Sequence, residues 1–213
     1  RKTMSRKNRM PIYYGRNIVR QTERNFLSGK KPESQRVDEN RRAAADVIGM
    51  CFIVALNDCY GIGESRLQRV VDDAAARAGR FDTNKKAVGL ERAKKKLDEE
   101  LGDLLPGGFV LPAVKSPKNN REWRMLGEQR DAAETVVKIY VLSTKKVLGF
   151  GQERIAVTVK ATEDNFRKFG GYAESGDYYG YAALARRLSA LVGEPVEVDE
   201  SEATEPIFGR TLT

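Results

Sequence analysis

Residues 42–69, RAAADVIGMCFIVALNDCYGIGESRLQR, run in register with residues 130–157, RDAAETVVKIYVLSTKKVLGFGQERIAV, 88 positions later. The gapless register extends to Phe81 and Phe169. It contains the identical pairs Arg42/Arg130, Ala44/Ala132, Ala45/Ala133, Gly61/Gly149, Gly63/Gly151, Arg66/Arg154 and Val71/Val159. After a three-residue insertion the match resumes, with Gly89, Lys95, Lys96, Leu97 and Gly102 meeting Gly180, Arg186, Arg187, Leu188 and Gly193. Self-similarity at a fixed offset is the signature of an architecture built from copies of one unit. The pattern predicts an all-α chain of two tandem pseudo-symmetric repeats, each a helix, a Gly-x-Gly turn, a helix, a loop and a helix.

Working outward, the first helix is expected over about Asn40–Tyr60, with apolar residues around most of its circumference, which marks it as central to the core. The second is expected from Glu64 to about Ala78, stopped by Gly79, and the third from about Thr83 to Leu101, stopped by Gly102. In the other repeat, Trp123 lies in an opening segment and is expected to plug the seam between the halves. The next helix runs to about Leu148. Its β-branched Val136, Val137, Ile139 and Val141 also suit a strand, and pairing with the Ala-rich first copy favours helix. Helices over about Gln152–Phe169 and Tyr181–Val192 follow, separated by a loop over 170–179. The resulting division is a basic arm (1–40), repeat 1 (41–105), a Pro/Gly-rich linker (106–121), repeat 2 (122–193) and an acidic tail (194–213).

The 213 residues are 40% apolar and 32% charged with a mean hydropathy of −0.54, a globular composition. The longest apolar run, Val47–Leu56, is about half the roughly 20 residues that a membrane span needs. The basic N-terminal residues lack the apolar stretch of a secretory signal, and a cytoplasmic location is the expectation. The net charge of +8 is unevenly placed. Residues 1–42 hold 13 Lys/Arg against four Asp/Glu, whereas residues 194–213 hold six Asp/Glu against Arg210 alone. A basic arm suits a polyanion, because neutralising phosphates releases counterions; the acidic tail reads either as a competitor for the arm or as a solvating segment.

The chain has no histidine, which removes the commonest general base and metal ligand. Cys51 and Cys59 face Ile139 and Val147 in the other repeat, so both are expected to act as small core hydrophobes. The acidic groups Asp72/Asp73, Asp98/Glu99/Glu100 and Glu163/Asp164 do not recur between copies and read as solvated helix faces. No cofactor, metal or catalytic residue is assigned. Tyr178, Tyr179 and Tyr181 beside Arg186 and Arg187 suit either stacking on exposed bases or packing under the inserted loop.

Cys59-Tyr60-Gly61-Ile62-Gly63-Glu64-Ser65-Arg66-Leu67 and its counterpart around Gly149-Phe150-Gly151 resemble the helix-hairpin-helix motif, whose h-G-h-G turn joins two helices locked by apolar residues. That resemblance implies sequence-independent DNA binding in which turn amides and the first residues of the next helix hold a backbone phosphate. Physically, glycines permit close approach of an anion, the helix N-terminus attracts it, and Arg66 and Arg154 supply charge. The same residues also read as tight glycine caps between packed helices, with the arginines as surface or ion-pair partners. Tyr60 and Leu148 replace the proline common before the first glycine. The G-F-G-x-x-R turn after a long apolar helix also looks like small proteins of phages and prophages of Gram-positive bacteria, some of which inhibit host defence.

The leading expectation is therefore a non-enzymatic nucleic-acid-binding protein. Arg6, Lys7, Arg9, Arg16, Arg20, Arg24, Lys30 and Lys31 supply attraction to DNA or RNA. Gly61, Gly63, Arg66, Gly149, Gly151 and Arg154 set the register on the phosphate backbone. The alternative is a phage-encoded inhibitor, of anti-CRISPR or other anti-defence type, that docks on a host nuclease or ribonucleoprotein in the bacterial cytoplasm.

Overall fold

The structure, a computed structural model, describes residues 33–113, 116–173 and 177–192. Among the described residues there is helix and no strand. The helices are α1 (Glu33–Tyr60), α2 (Glu64–Val88), α3 (Leu90–Leu101), α4 (Asn120–Leu148), α5 (Gln152–Ala173) and α6 (Asp177–Val192), with one 3-10 turn at Gly102–Leu104.

Boundaries differ from the sequence-based expectation at Gly79 and Gly89. Gly79 lies inside α2, which continues to Val88. A helical glycine costs roughly 1 kcal/mol relative to alanine, too little to end a helix that buries Leu67, Val70, Val71 and Ala74. The stop is Gly89, whose φ of +87° is open to glycine and costly for other residues. α3 therefore begins at Leu90, not near Thr83. α4 is one helix across the β-branched segment that also suits a strand. Asn119 starts it by accepting a hydrogen bond from the Glu122 amide at 3.0 Å, while the Glu122 carboxylate accepts from the Lys118 amide at 2.7 Å. This is a capping arrangement that ties both sides of the helix start.

α1 and α4 pack side by side and run parallel. Gln129 Nε2 donates to Asn40 Oδ1 at 2.8 Å near their starts. The Phe52 and Tyr140 rings lie 5.4 Å apart midway, and the Tyr60 and Phe150 rings meet edge to face at 4.9 Å at the end. Gly49 permits the approach, since a Cβ there would stand 3.2 Å from the Tyr140 ring. The chain then reverses twice. α2 descends along α4, and α5 descends along α1; α3 returns against α2 and α4, and α6 against α5 and α1. Each hairpin thus splays, with α2 lying against α3 and α4 rather than alongside α1.

One core serves both halves. Ile48, Phe52, Val70, Val137, Val141, Ile155 and Leu188 are all buried within it. Phe109 and Leu111 of the linker join the same core, so the connection is partly packed. Two expected core positions lie elsewhere. Cys51 is buried, but Cys59 is exposed, because the last turn of α1 extends beyond its cover. Trp123 is 56% exposed on the first turn of α4 and plugs no seam. The stretch Val37–Tyr60 is apolar and long enough to cross a membrane by length and composition; in this fold its apolar residues form the centre of the core.

Candidate functional site

The parallel pairing of α1 and α4 brings both Gly-x-Gly turns to one end of the bundle. Gly61 (φ +59°) and Gly149 (φ +68°) cap α1 and α4, their amides donating to Asn57 O at 2.7 Å and Lys145 O at 2.9 Å. The middle residues, Ile62 and Phe150, are buried, and the outer glycines lead into α2 and α5. Gly63 O accepts from Leu67 N and Gly151 O from Ile155 N. Gly63, Glu64 and Ser65, and likewise Gly151, Gln152 and Glu153, are exposed. The turns also touch, because Tyr60 donates its hydroxyl to Arg154 O at 3.2 Å besides packing on Phe150.

The two arginines differ. The Arg66 side chain is exposed and has no hydrogen-bond or ion-pair partner among the described residues. The Arg154 guanidinium lies 4.4 Å over the Phe150 ring and donates to Gly149 O at 3.2 Å. Part of its hydrogen-bonding capacity is therefore spent within its own turn. Glu64 and Glu153 stand in the first turns of α2 and α5. They favour the helix dipoles and oppose an incoming phosphate.

Ion pairs brace this end. Asp73 of α2 accepts from Arg77 at 2.8 Å and from Lys146 of α4. Burial works against the Asp73 carboxylate, and the Lys146 and Arg77 hydrogen bonds outweigh it, holding its pKa below the ordinary value. On the other side Arg187 of α6 holds Asp58 of α1.

Arg6, Lys7, Arg9, Arg16, Arg20, Arg24, Lys30 and Lys31 lie outside the described residues, as do the acidic tail and the Tyr178 side chain. The point where the arm joins the body is described, and it is at the opposite end from the turns. From Arg41 to Gly61 the helix rises about 30 Å at ~1.5 Å per residue.

At that end α1 and α3 are both tied to α4. Asp131 of α4 accepts from both Arg41 of α1 and Lys94 of α3. Burial raises the Asp131 pKa, and the Lys94 and Arg41 hydrogen bonds reverse that, so it stays ionised below the usual carboxylate range. Close by in sequence, Arg80, Lys85, Lys86, Arg92, Lys95 and Lys96 are exposed, with no ion-pair partner among the described residues. Residues 80–96 hold seven Lys/Arg against Asp82 and Glu91. The density of that stretch was the available signal; what hid its meaning was not knowing which cations pair internally.

Among the described residues, no group of three or more Cys, Asp or Glu side chains is placed to hold a metal. No family model matches the chain, and neither a curated protein nor a solved structure matches it.

Proposed function

We propose that this chain is a non-enzymatic nucleic-acid-binding protein that grips the phosphate backbone mainly at the arm end of the bundle. The observation that carries the reading is Asp131 shared by Arg41 and Lys94, which sets the root of the basic arm beside the cations of α2 and α3. The junction itself is charge-balanced, with Arg41 and Lys94 met by Asp131 and Glu128; the basic N-terminal residues and the exposed, unpaired cations of α2 and α3 suit a polyanion contacted without regard to sequence. The two Gly-x-Gly turns and Arg66 form a second, smaller contact at the far end.

We also read the bundle as an internal duplication with approximate two-fold symmetry. Supporting this, the contact of α1 with α5 has its counterpart in α4 with α2. The α2–α3 contact likewise matches α5–α6, and α3–α4 matches α6–α1.

The test is a titration of the full chain against labelled duplex DNA and duplex RNA at two salt concentrations. Wild type is compared with an Arg92→Gln/Lys95→Gln/Lys96→Gln variant. Binding should fall steeply with salt, and the variant should flatten the slope by about 0.9 for each phosphate it no longer neutralises. Absence of binding at low salt by the wild type would refute the proposal. Capture of a host ribonucleoprotein by a protein that ignores naked nucleic acid would favour the inhibitor reading.

A further inference from the structure

We propose that the groove between α5 and α6 receives an unpaired base of the bound nucleic acid, an inference that rests on the nucleic-acid reading above but uses a different surface. The groove has a volume of about 370 Å³, within the ~300–1,000 Å³ range of small-ligand sites. Its walls carry Lys168 and Tyr172 from α5 and Tyr179 and Arg186 from α6, with Phe169 at the interface, and no carboxylate among the described residues lines it.

The aromatic residues divide into support and contact. Phe169 stacks on Phe166 at 5.9 Å and takes the edge of Tyr181 at 5.3 Å, so these rings are held by one another. Gly180 lets the helices close, because a Cβ there would stand 2.8 Å from the Phe169 ring. Tyr172 and Tyr179 are 55% and 47% exposed. Large aromatic surface left in water beside cations is what a base-stacking platform requires.

The cations divide in the same way. Arg187 is committed to the Asp58 carboxylate and to Asn165 Oδ1, which it reaches at 3.2 Å. Asn165 is itself held by donating to Cys51 O at 3.3 Å. Lys168 and Arg186 are exposed and have no ion-pair partner among the described residues, which leaves them for a phosphate. A base laid against the tyrosines thus has two positive groups available to its flanking phosphates. Stacking of this kind accepts any base, because each presents a π face. A duplex offers no such face along its length, so the groove discriminates for single-stranded or frayed segments.

The experiment measures fluorescence anisotropy of a labelled single-stranded thymidine oligomer and, separately, of a labelled duplex. Wild type is compared with Tyr172→Ala/Tyr179→Ala, Tyr172→Phe/Tyr179→Phe and Lys168→Gln/Arg186→Gln. The alanine pair should weaken single-strand binding by roughly 5- to 150-fold per stacked base, while duplex binding changes less than about two-fold. The phenylalanine pair should retain single-strand affinity, because it keeps both rings and loses only the hydroxyls. The glutamine pair should weaken single-strand binding and reduce its salt dependence.

Unchanged single-strand affinity in the alanine pair, or equal loss on strand and duplex, overturns the inference. Salt-dependent duplex binding by a wild type that ignores the single strand overturns it too, and leaves the proposed function standing. Failure of the wild type on both probes overturns both.

Discussion

Asp46 should make the fold lose stability as pH rises. It lies on α1, and burial pushes its carboxyl up to about 7, with Arg42 one turn earlier only partly opposing. In the unfolded chain an aspartate titrates near 3.9. The folded form thus holds the proton more tightly. The resulting stability is fully present below about pH 4 and is lost as pH rises through about 7. Integrated between pH 5 and pH 8, the loss is on the order of 3 kcal/mol. For a chain of this size that corresponds to a Tm change of roughly 6–12 °C.

Asp46→Asn keeps the shape and removes the titration. Urea unfolding followed by helical circular dichroism should therefore show the variant gaining about 3 kcal/mol relative to wild type between pH 5 and pH 8. The counterpart of Asp46 in the second half is an internal control. Glu134 has a side chain 41% exposed and paired with Lys138 at 2.7 Å, so Glu134→Gln should show no comparable gain. If the wild-type and Asp46→Asn stabilities differ by the same amount at both pH values, the reasoning about Asp46 is refuted.

Other expectations can be checked with simple measurements. Arg66→Gln should lower the salt slope of nucleic-acid binding by about one phosphate's worth. Arg154→Gln should lower it less, because the Arg154 guanidinium is already engaged with Phe150 and Gly149 O; equal slope changes would contradict this. Gly127→Ala, on an open part of α4, should raise stability by roughly 0.5–1 kcal/mol. Gly180→Ala should instead cost about 1–3 kcal/mol by driving a methyl into Phe169, so thermal melts should move in opposite directions. A thiol reagent at mildly alkaline pH should modify Cys59 in the native protein and leave Cys51 unmodified. Cys51 is buried, and burial pushes its pKa up to about 12; native-state labelling of Cys51 would show that α1 opens.

The helical class was legible because apolar spacing and two Gly-x-Gly turns repeat the same instruction, and positive φ at Gly61 and Gly149 fits their residue type. Gly79 and Gly89 look alike as letters. They are separated by tertiary packing, which carries α2 through the first and lets the second turn the chain. Cys59 and Trp123 were misplaced because periodicity marks a face without saying how far its cover extends. The turn residues were legible at the candidate site, whereas the self-engagement of Arg154 was not, since it depends on where Phe150 stands. The basic elbow of α2 and α3 stayed hidden for a related reason. Lys94, Lys138 and Lys146 are neutralised by aspartates from other helices, while neighbouring Lys95 and Lys96 are not, and only the fold sorts them.

Every described helix that packs along α1 comes from the second half of the chain. During synthesis α1 therefore emerges without its cover. At ~5–20 residues per second, the counterpart segment 88 residues later follows after roughly 5–20 s. For that interval the nascent chain displays a helix apolar enough to pass for a membrane span. Without the second half α1 lacks the helices that pack along it, and slowing synthesis between α1 and α4 should increase aggregation rather than assist folding.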